Sequence, residues 1–257
     1  MPAQSYALRR SRTGSAAGSL RRWTKKRTSK KDINRSGVSS VANKASAFTM
    51  QRSGPSLSGF PAQKSCTLRY ATDLTLVGTV GGKNHMFRAN SLFDPDYTGV
   101  GHQPLGFDQW SAIYGYYYVR RARIKVSEIS SSQTTYTPGL LSVGVRRKNT
   151  GFPSTIEEAA EDPNYSKFMK AAGGGVSVTA GPIRYLEQKV DIAKFMGVKN
   201  VEDEEDLGAL VTANCSETVY FDVNTVNVGG VTPGDIHLLV EIEYDCVFKE
   251  PKTLIQS

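Results

Sequence analysis

Apolar and polar residues alternate in two different ways along this chain. From Cys66 onward the period is two. In Cys66–Val77, Leu68, Tyr70, Leu74 and Leu76 share one parity, while Arg69 and Asp73 take the other. In Asp235–Phe248, Ile236, Leu238, Val240, Ile242, Tyr244, Cys246 and Phe248 form one face. His237, Glu241, Glu243 and Asp245 form the opposite face, with Leu239 and Val247 as exceptions. Successive side chains of a strand point to opposite faces, so both segments predict half-buried strands. Further strands are predicted at His85–Phe93, Tyr116–Ile129, Gly139–Arg147, Pro182–Ala193 and Glu217–Val228, with a weaker one at Lys167–Ala172. In Tyr116–Ile129, Ala122, Ile124 and Val126 lie opposite Arg121, Arg123 and Lys125.

Helical spacing is scarce. Gly106–Tyr114 sets Phe107, Trp110, Ile113 and Tyr114 on one helical face, which suits packing against a sheet. Pro153–Asp162 offers Ser154 or Thr155 as a cap, followed by acids that suit the helix dipole. Val201–Leu210 is a weaker third. About eight strands, with helices only in the connections, predict an all-β body built as one antiparallel sandwich or barrel.

Residues 1–62 show neither period. They are rich in Ser, Gly, Ala, Arg and Lys, and their scattered apolar residues cannot offset the entropy of ordering the segment. The division predicted is therefore a disordered arm over 1–62 and one folded domain over 63–257. The arm leads into the body through a Pro/Gly-bearing junction, Gly54 to Pro61.

Charge sharpens that division. The chain has 257 residues, 32 Lys and Arg, 24 Asp and Glu, and a formal net charge of +8. Residues 1–52 hold 13 basic groups and one acid, Asp32, so they carry +12, and the remainder carries −4. Such asymmetry points to a polyanion-binding arm. The candidate nucleic-acid contacts are Arg9, Arg10, Arg12, Arg21, Arg22, Lys25, Lys26, Arg27, Lys30, Lys31 and Arg35. These neutralise phosphates and release counterions, which gives salt-sensitive, sequence-independent binding. Trp23, inside the densest run, can stack on an unpaired base or anchor the arm to the body's inner wall. The same run, Arg21–Lys31, has the composition of a nuclear import signal.

Other chemistries lack their residues. No stretch approaches the roughly 18 apolar residues that cross a bilayer, and no apolar run behind the N-terminus suggests a secretory signal. The sequons at Asn34, Asn164 and Asn214 are accordingly read as chance. His85, His102 and His237 form no metal-binding pair, and there is no Cys-x-x-Cys, nucleophile elbow or phosphate loop. His102 reads as a hydrogen-bonding loop residue. Glu202–Asp206 could offer oxygen ligands to a hard cation such as Ca²⁺, though a solvated acidic loop is the plainer reading. No enzyme, cofactor or metal site is expected.

Asn90–Val126, NSLFDPDYTGVGHQPLGFDQWSAIYGYYYVRRARIKV, resembles a block of the capsid proteins of circular Rep-encoding single-stranded DNA viruses, the circovirus-like family. Lys64–Leu76, KSCTLRYATDLTL, resembles the family's first barrel strand. The rest is similar in layout only. Taken alone, Asp94-Pro95-Asp96 and Thr98-Gly99 are turn chemistry. The resemblance implies a single eight-stranded jelly roll behind the basic arm. It also implies a homo-oligomeric icosahedral shell of about sixty copies around a single-stranded DNA genome, a virion location, and passage through the host nucleus with an import receptor. Rival readings are the coat protein of a small or satellite RNA virus and a cellular basic-tailed nucleic-acid-binding β-barrel. An enzyme on a jelly-roll scaffold would need the clustered ligands that are missing.

In a jelly roll, the strands over Cys66–Val77, Asp235–Phe248, Tyr116–Ile129 and Pro182–Ala193 lie side by side in that order. Two expectations follow. Arg121, Arg123 and Lys125 would meet Glu241, Glu243 and Asp245 on one side and the mixed charges Glu187, Lys189 and Asp191 on the other, so they pair across strands instead of forming a nucleic-acid patch. Cys66 and Cys246 become neighbours on core-facing parity, reduced in a cytosolic or nuclear compartment.

Overall fold

A computed structural model describes residues 59–79, 82–131, 139–170, 184–227 and 235–253. The eleven basic arm positions proposed as nucleic-acid contacts, and Trp23 with them, all lie outside these residues.

The strands are β1 (Gln63–Leu76), β2 (Lys83–Arg88), β3 (Tyr114–Ser131), β4 (Gly139–Arg146), β5 (Tyr165–Lys170), β6 (Tyr185–Asp191), β7 (Gly208–Leu210), β8 (Tyr220–Asn227) and β9 (Ile236–Pro251). One sheet runs β1-β9-β3-β6, with the three-residue β7 also on β3. The other runs β2-β8-β4-β5. Every pairing is antiparallel. Two antiparallel four-stranded sheets in this order make an eight-stranded jelly roll.

The core lies where the inner faces meet. The first sheet contributes Leu68, Tyr70, Ile124, Val126, Leu238, Val240, Ile242 and Tyr244, and the second Phe87, Leu141, Val143, Phe221 and Val223, all buried. Among the described residues, three short helices sit in the connections: α1 (Phe107–Ile113), α2 (Ile156–Glu161) and α3 (Ile192–Met196). In α1, Phe107 is buried and Trp110 stacks on Phe248 with ring centroids 6.0 Å apart. The helical face read from sequence is thus a core face. The cap of α2 is Thr155, whose side chain accepts from the Glu158 amide, while Ser154 donates from N and Oγ to the Glu158 carboxylate. Those bonds hold the Glu158 carboxyl below its usual range.

Three expectations change. The strand read over His85–Phe93 ends at Arg88, because the Asn90 side chain takes over the backbone pairing. Its Nδ2 donates to Glu217 O at 2.8 Å, and its Oδ1 accepts from Val219 N at 2.9 Å. The strand read over Pro182–Ala193 spans only Tyr185–Asp191 among the described residues. The Asp191 side chain caps α3 through Lys194 N, and Gly197 closes that helix at φ 77°. Val201–Leu210 is no α-helix: it forms two 3₁₀ turns, Val201–Asp203 and Glu205–Leu207, followed by β7. Five adjacent acids would repel one another along a helix. A feature with no counterpart in the expected pattern is a bulge in β3 between Val119 and Arg121. Before it, Tyr117 and Val119 face inward on odd numbers; after it, Ala122, Ile124 and Val126 do so on even ones. An extra residue shifts parity by one and re-aims its own side chain, here Arg120.

Candidate nucleic-acid interface

The outer face of the β1-β9-β3-β6 sheet carries the body's basic stripe. Register sets its neighbours: Arg121 opposes Asp245, Arg123 opposes Glu243 and Lys125 opposes Glu241 across β3 and β9. On the other side Arg121 opposes Asp191, Arg123 opposes Lys189 and Lys125 opposes Glu187. The side chains follow. Arg121 Nη2 lies 2.6 Å from Asp245 Oδ2, and Lys125 Nζ 3.0 Å from Glu241 Oε2. Arg123 sits between Glu187 at 3.7 Å and Glu243 at 3.6 Å. Glu243 also takes Arg69 of β1 at 3.1 Å, and Glu187 takes Lys189 at 3.0 Å. The bonds act in both directions: Asp245 raises the Arg121 guanidinium, and Lys189 holds the Glu187 carboxyl below its usual range.

A groove of about 610 Å³ opens on this face. Its charged lining is Arg121, Arg123 and Lys189 against Asp191, Glu243 and Asp245, so it is neutral overall. A phosphate entering it would have to displace a carboxylate from each cation it used. Cross-strand pairing, expected from the jelly-roll strand order, is what the stripe does.

The acidic loop is also engaged. Glu202 accepts from Arg120, and its second oxygen lies 2.8 Å from Lys249 Nζ. Burial pushes the Glu202 carboxyl up, but the bonds from Lys249 and Arg120 outweigh it, and the net shift is downward. Arg120 reaches Glu202 because of the bulge in β3, and its Nη1 also donates to Ser65 Oγ near the start of β1. No group of three or more His, Cys, Asp or Glu able to hold a metal occurs among the described residues.

The loop after β2 wraps around Arg88. The Arg88 guanidinium donates to the Asp94 carboxylate and to the carbonyls of Asp94 and Asp96, each at 2.8 Å. Asp96 accepts from Thr98 N and Oγ1, and from His85 Nε2 at 3.0 Å. Burial opposes ionisation of Asp96, but these bonds prevail and bring its carboxyl down to about 2. Gly101 packs against this knot, where an added Cβ would lie 2.9 Å from both Tyr70 OH and Asp96 Cβ. The histidines serve separate local bonds. The His102 ring nitrogens face the carbonyls of Gln103 and Ala71, and His237 Nδ1 meets Thr75 Oγ1 at 2.8 Å.

Sequence reading did not find a second polar cluster. On the outer face of β4 and β8, Arg146 Nη1 lies 3.3 Å from Asp222 Oδ2, and Tyr165 OH donates to the same oxygen. Asp222 is fully buried. The alternation in β8 assigns Asp222 and Asn224 to a polar face. That face is covered by the segment before α2: Arg146 donates to the carbonyls of Thr150 and Gly151, and Asn224 to Pro153 O.

No protein-family model matches this chain, and no curated protein matches it. Solved structures do align with it. The structure of Cocksfoot mottle virus aligns over 86% of this chain and 98% of its own, at 12% identity and a TM-score of 0.45. That of Desmodium yellow mottle tymovirus aligns over 89% of this chain and 100% of its own, at 10% identity and a TM-score of 0.39. The BFDV capsid protein in a 60-mer crystal structure aligns over 77% and 100%, at 9% identity and a TM-score of 0.38. The jelly-roll assignment itself rests on the strand order and register described above.

Proposed function

We propose that this chain is a non-enzymatic capsid subunit whose body self-associates into a closed icosahedral shell and whose basic arm, residues 1–62, binds packaged single-stranded DNA. The observation that carries this reading is the division of charge. The arm's 13 basic groups face a single acid within the first 52 residues, whereas the cations of the exposed sheet are already held by carboxylates. Uncompensated positive charge attracts phosphate, and paired charge does not. The resemblance of Asn90–Val126 to circovirus-like capsid proteins supports the shell, and the Arg88-centred loop gives that block a structural purpose. The run Arg21–Lys31 also suits recognition by a nuclear import receptor, and the location implied is the virion after assembly in the nucleus.

The test is binding of single-stranded DNA across a salt series, with electron microscopy of the same samples. Deleting residues 1–35 removes most of the salt-dependent affinity, while Arg123→Ala leaves it almost unchanged. Equal losses from the two changes would overturn the assignment to the arm. The full chain yields uniform closed shells; monodisperse monomers at high concentration with nucleic acid present would overturn the capsid reading. Phosphate chemistry in the arm serves RNA equally, so the nucleic acid recovered from assembled shells decides between the two genome types.

A further inference from the structure

Two thiols face each other across β1 and β9. Cys66 and Cys246 are direct partners in the antiparallel register, and their Sγ atoms are 3.5 Å apart. Directly opposed residues in such a ladder have Cα atoms about 4.5 or 5.5 Å apart, and both spacings fall inside the range a disulfide spans. The register thus places the two sulfurs within reach of a bond by side-chain rotation. The surroundings of the two sulfurs differ. Cys66 is half-buried, near the start of β1, and Cys246 is fully buried. The third cysteine, Cys215, is buried elsewhere and donates to the carbonyls of Asn90 and Leu207.

We propose that Cys66 and Cys246 form a redox site, in which Cys66 is the attacking thiol and Cys246 the resolving one, and that a small dialkyl disulfide such as oxidised glutathione converts the pair to an intramolecular disulfide. In the first step the Cys66 thiol loses its proton to solvent. Its sulfur attacks one sulfur of the reagent, forms a mixed disulfide and expels one small thiolate, which takes up a proton. In the second step the Cys246 thiol gives up its proton, and its sulfur attacks Cys66 Sγ and expels the second small thiol. Two protein thiols are oxidised and one small disulfide is reduced to two thiols, so atoms and electrons balance. The hydrogen bond from Cys246 lowers the Cys66 thiol, which favours the attacking thiolate, while the same bond and burial push Cys246 up. Burial drives Cys215 up to about 12, which makes it an internal control.

The bond would join positions separated by 180 residues in sequence. It would staple β1 to β9, and closing so long a ring restricts the unfolded chain strongly. The site does not depend on the capsid reading.

The experiment uses the full chain in buffers of graded oxidised to reduced glutathione, followed by alkylation and peptide mass spectrometry. The expected product is an intrachain Cys66–Cys246 linkage with Cys215 alkylated, and a melting temperature higher by on the order of 5–10 °C in the oxidised form. Cys246→Ser leaves glutathione attached at Cys66, and Cys66→Ser takes up none at Cys246. A lasting glutathione adduct at Cys66 in the unmutated chain overturns the proposal, as do Cys66–Cys66 dimers or free thiols throughout the series. The mass spectrum of the unmutated protein decides the matter even where a variant fails to fold.

Discussion

The outer faces of the two sheets both carry ion pairs, in opposite surroundings. On the β1-β9-β3-β6 sheet the Arg121 side chain is 67% exposed and its partner Asp245 31%. On the β2-β8-β4-β5 sheet Arg146 is 10% exposed and Asp222 fully buried. In water the attraction is screened and the side chains lose entropy, so an exposed pair contributes little and acts mainly on register and solubility. Inside the protein each charge has lost its hydration, and only a complete set of partners offsets that cost. Asp222 shows the tension: burial raises its carboxyl despite bonds from Tyr165, Asn84 and Arg146. The first sheet can lose one member of its stripe; the second cannot.

The sharpest way to break this contrast is Asp222→Ala. It leaves the Arg146 guanidinium with no carboxylate and should cost about 3–5 kcal/mol in urea unfolding. A loss no larger than that of an exposed pair would remove the distinction between the sheets.

Asp96 lies between the extremes, part-buried beside His85. Its carboxyl falls from an unfolded value of 3.8 to about 2 when folded. A depressed carboxyl stabilises the fold in full above the unfolded value, and that contribution is lost as pH falls through the folded value. Between pH 3.8 and about 2 the unmutated chain should lose on the order of 1–2 kcal/mol from this group, after discounting for solvent screening. Asp96→Asn should remove that component, which acid titration of stability followed by circular dichroism would read. An unchanged acid limb would show that the knot around Asp96 does not tune stability.

The smallest effect is expected at the stripe. Arg121→Ala should change stability by roughly 0–1 kcal/mol, and added salt should shrink that difference further. A loss above about 2 kcal/mol would place the exposed pairs with the buried set.

Much of this was legible from residue order. Parity along β1 and β9 identified the inward residues, and the jelly-roll strand order that the resemblance implies brought Arg121, Arg123 and Lys125 beside carboxylates. Ser154 or Thr155 marked the start of α2, and the structure makes Thr155 the cap. Other features were not legible because their causes are remote. The Asn90 side chain ends β2 early by bonding residues 217 and 219. The bulge at Arg120 inverts parity in a run of Tyr, Val and Arg whose composition gives no warning. Asp222 sits on an alternating strand like any exposed acid, and only the covering segment at 150–153 buries it.

The sequence by itself determined the division of charge, +12 in residues 1–52 and −4 in the remainder, the all-β class and the inward faces of β1 and β9. These depend on local composition and on a period of two, which any strand obeys wherever it pairs. The tertiary structure decided which charges cancel, which polar groups are buried and how close two cysteines come. Those outcomes depend on register between residues such as Arg121 and Asp245, 124 positions apart, and Cys66 and Cys246, 180 apart. A shift of one residue in that register would turn each partner to the other face.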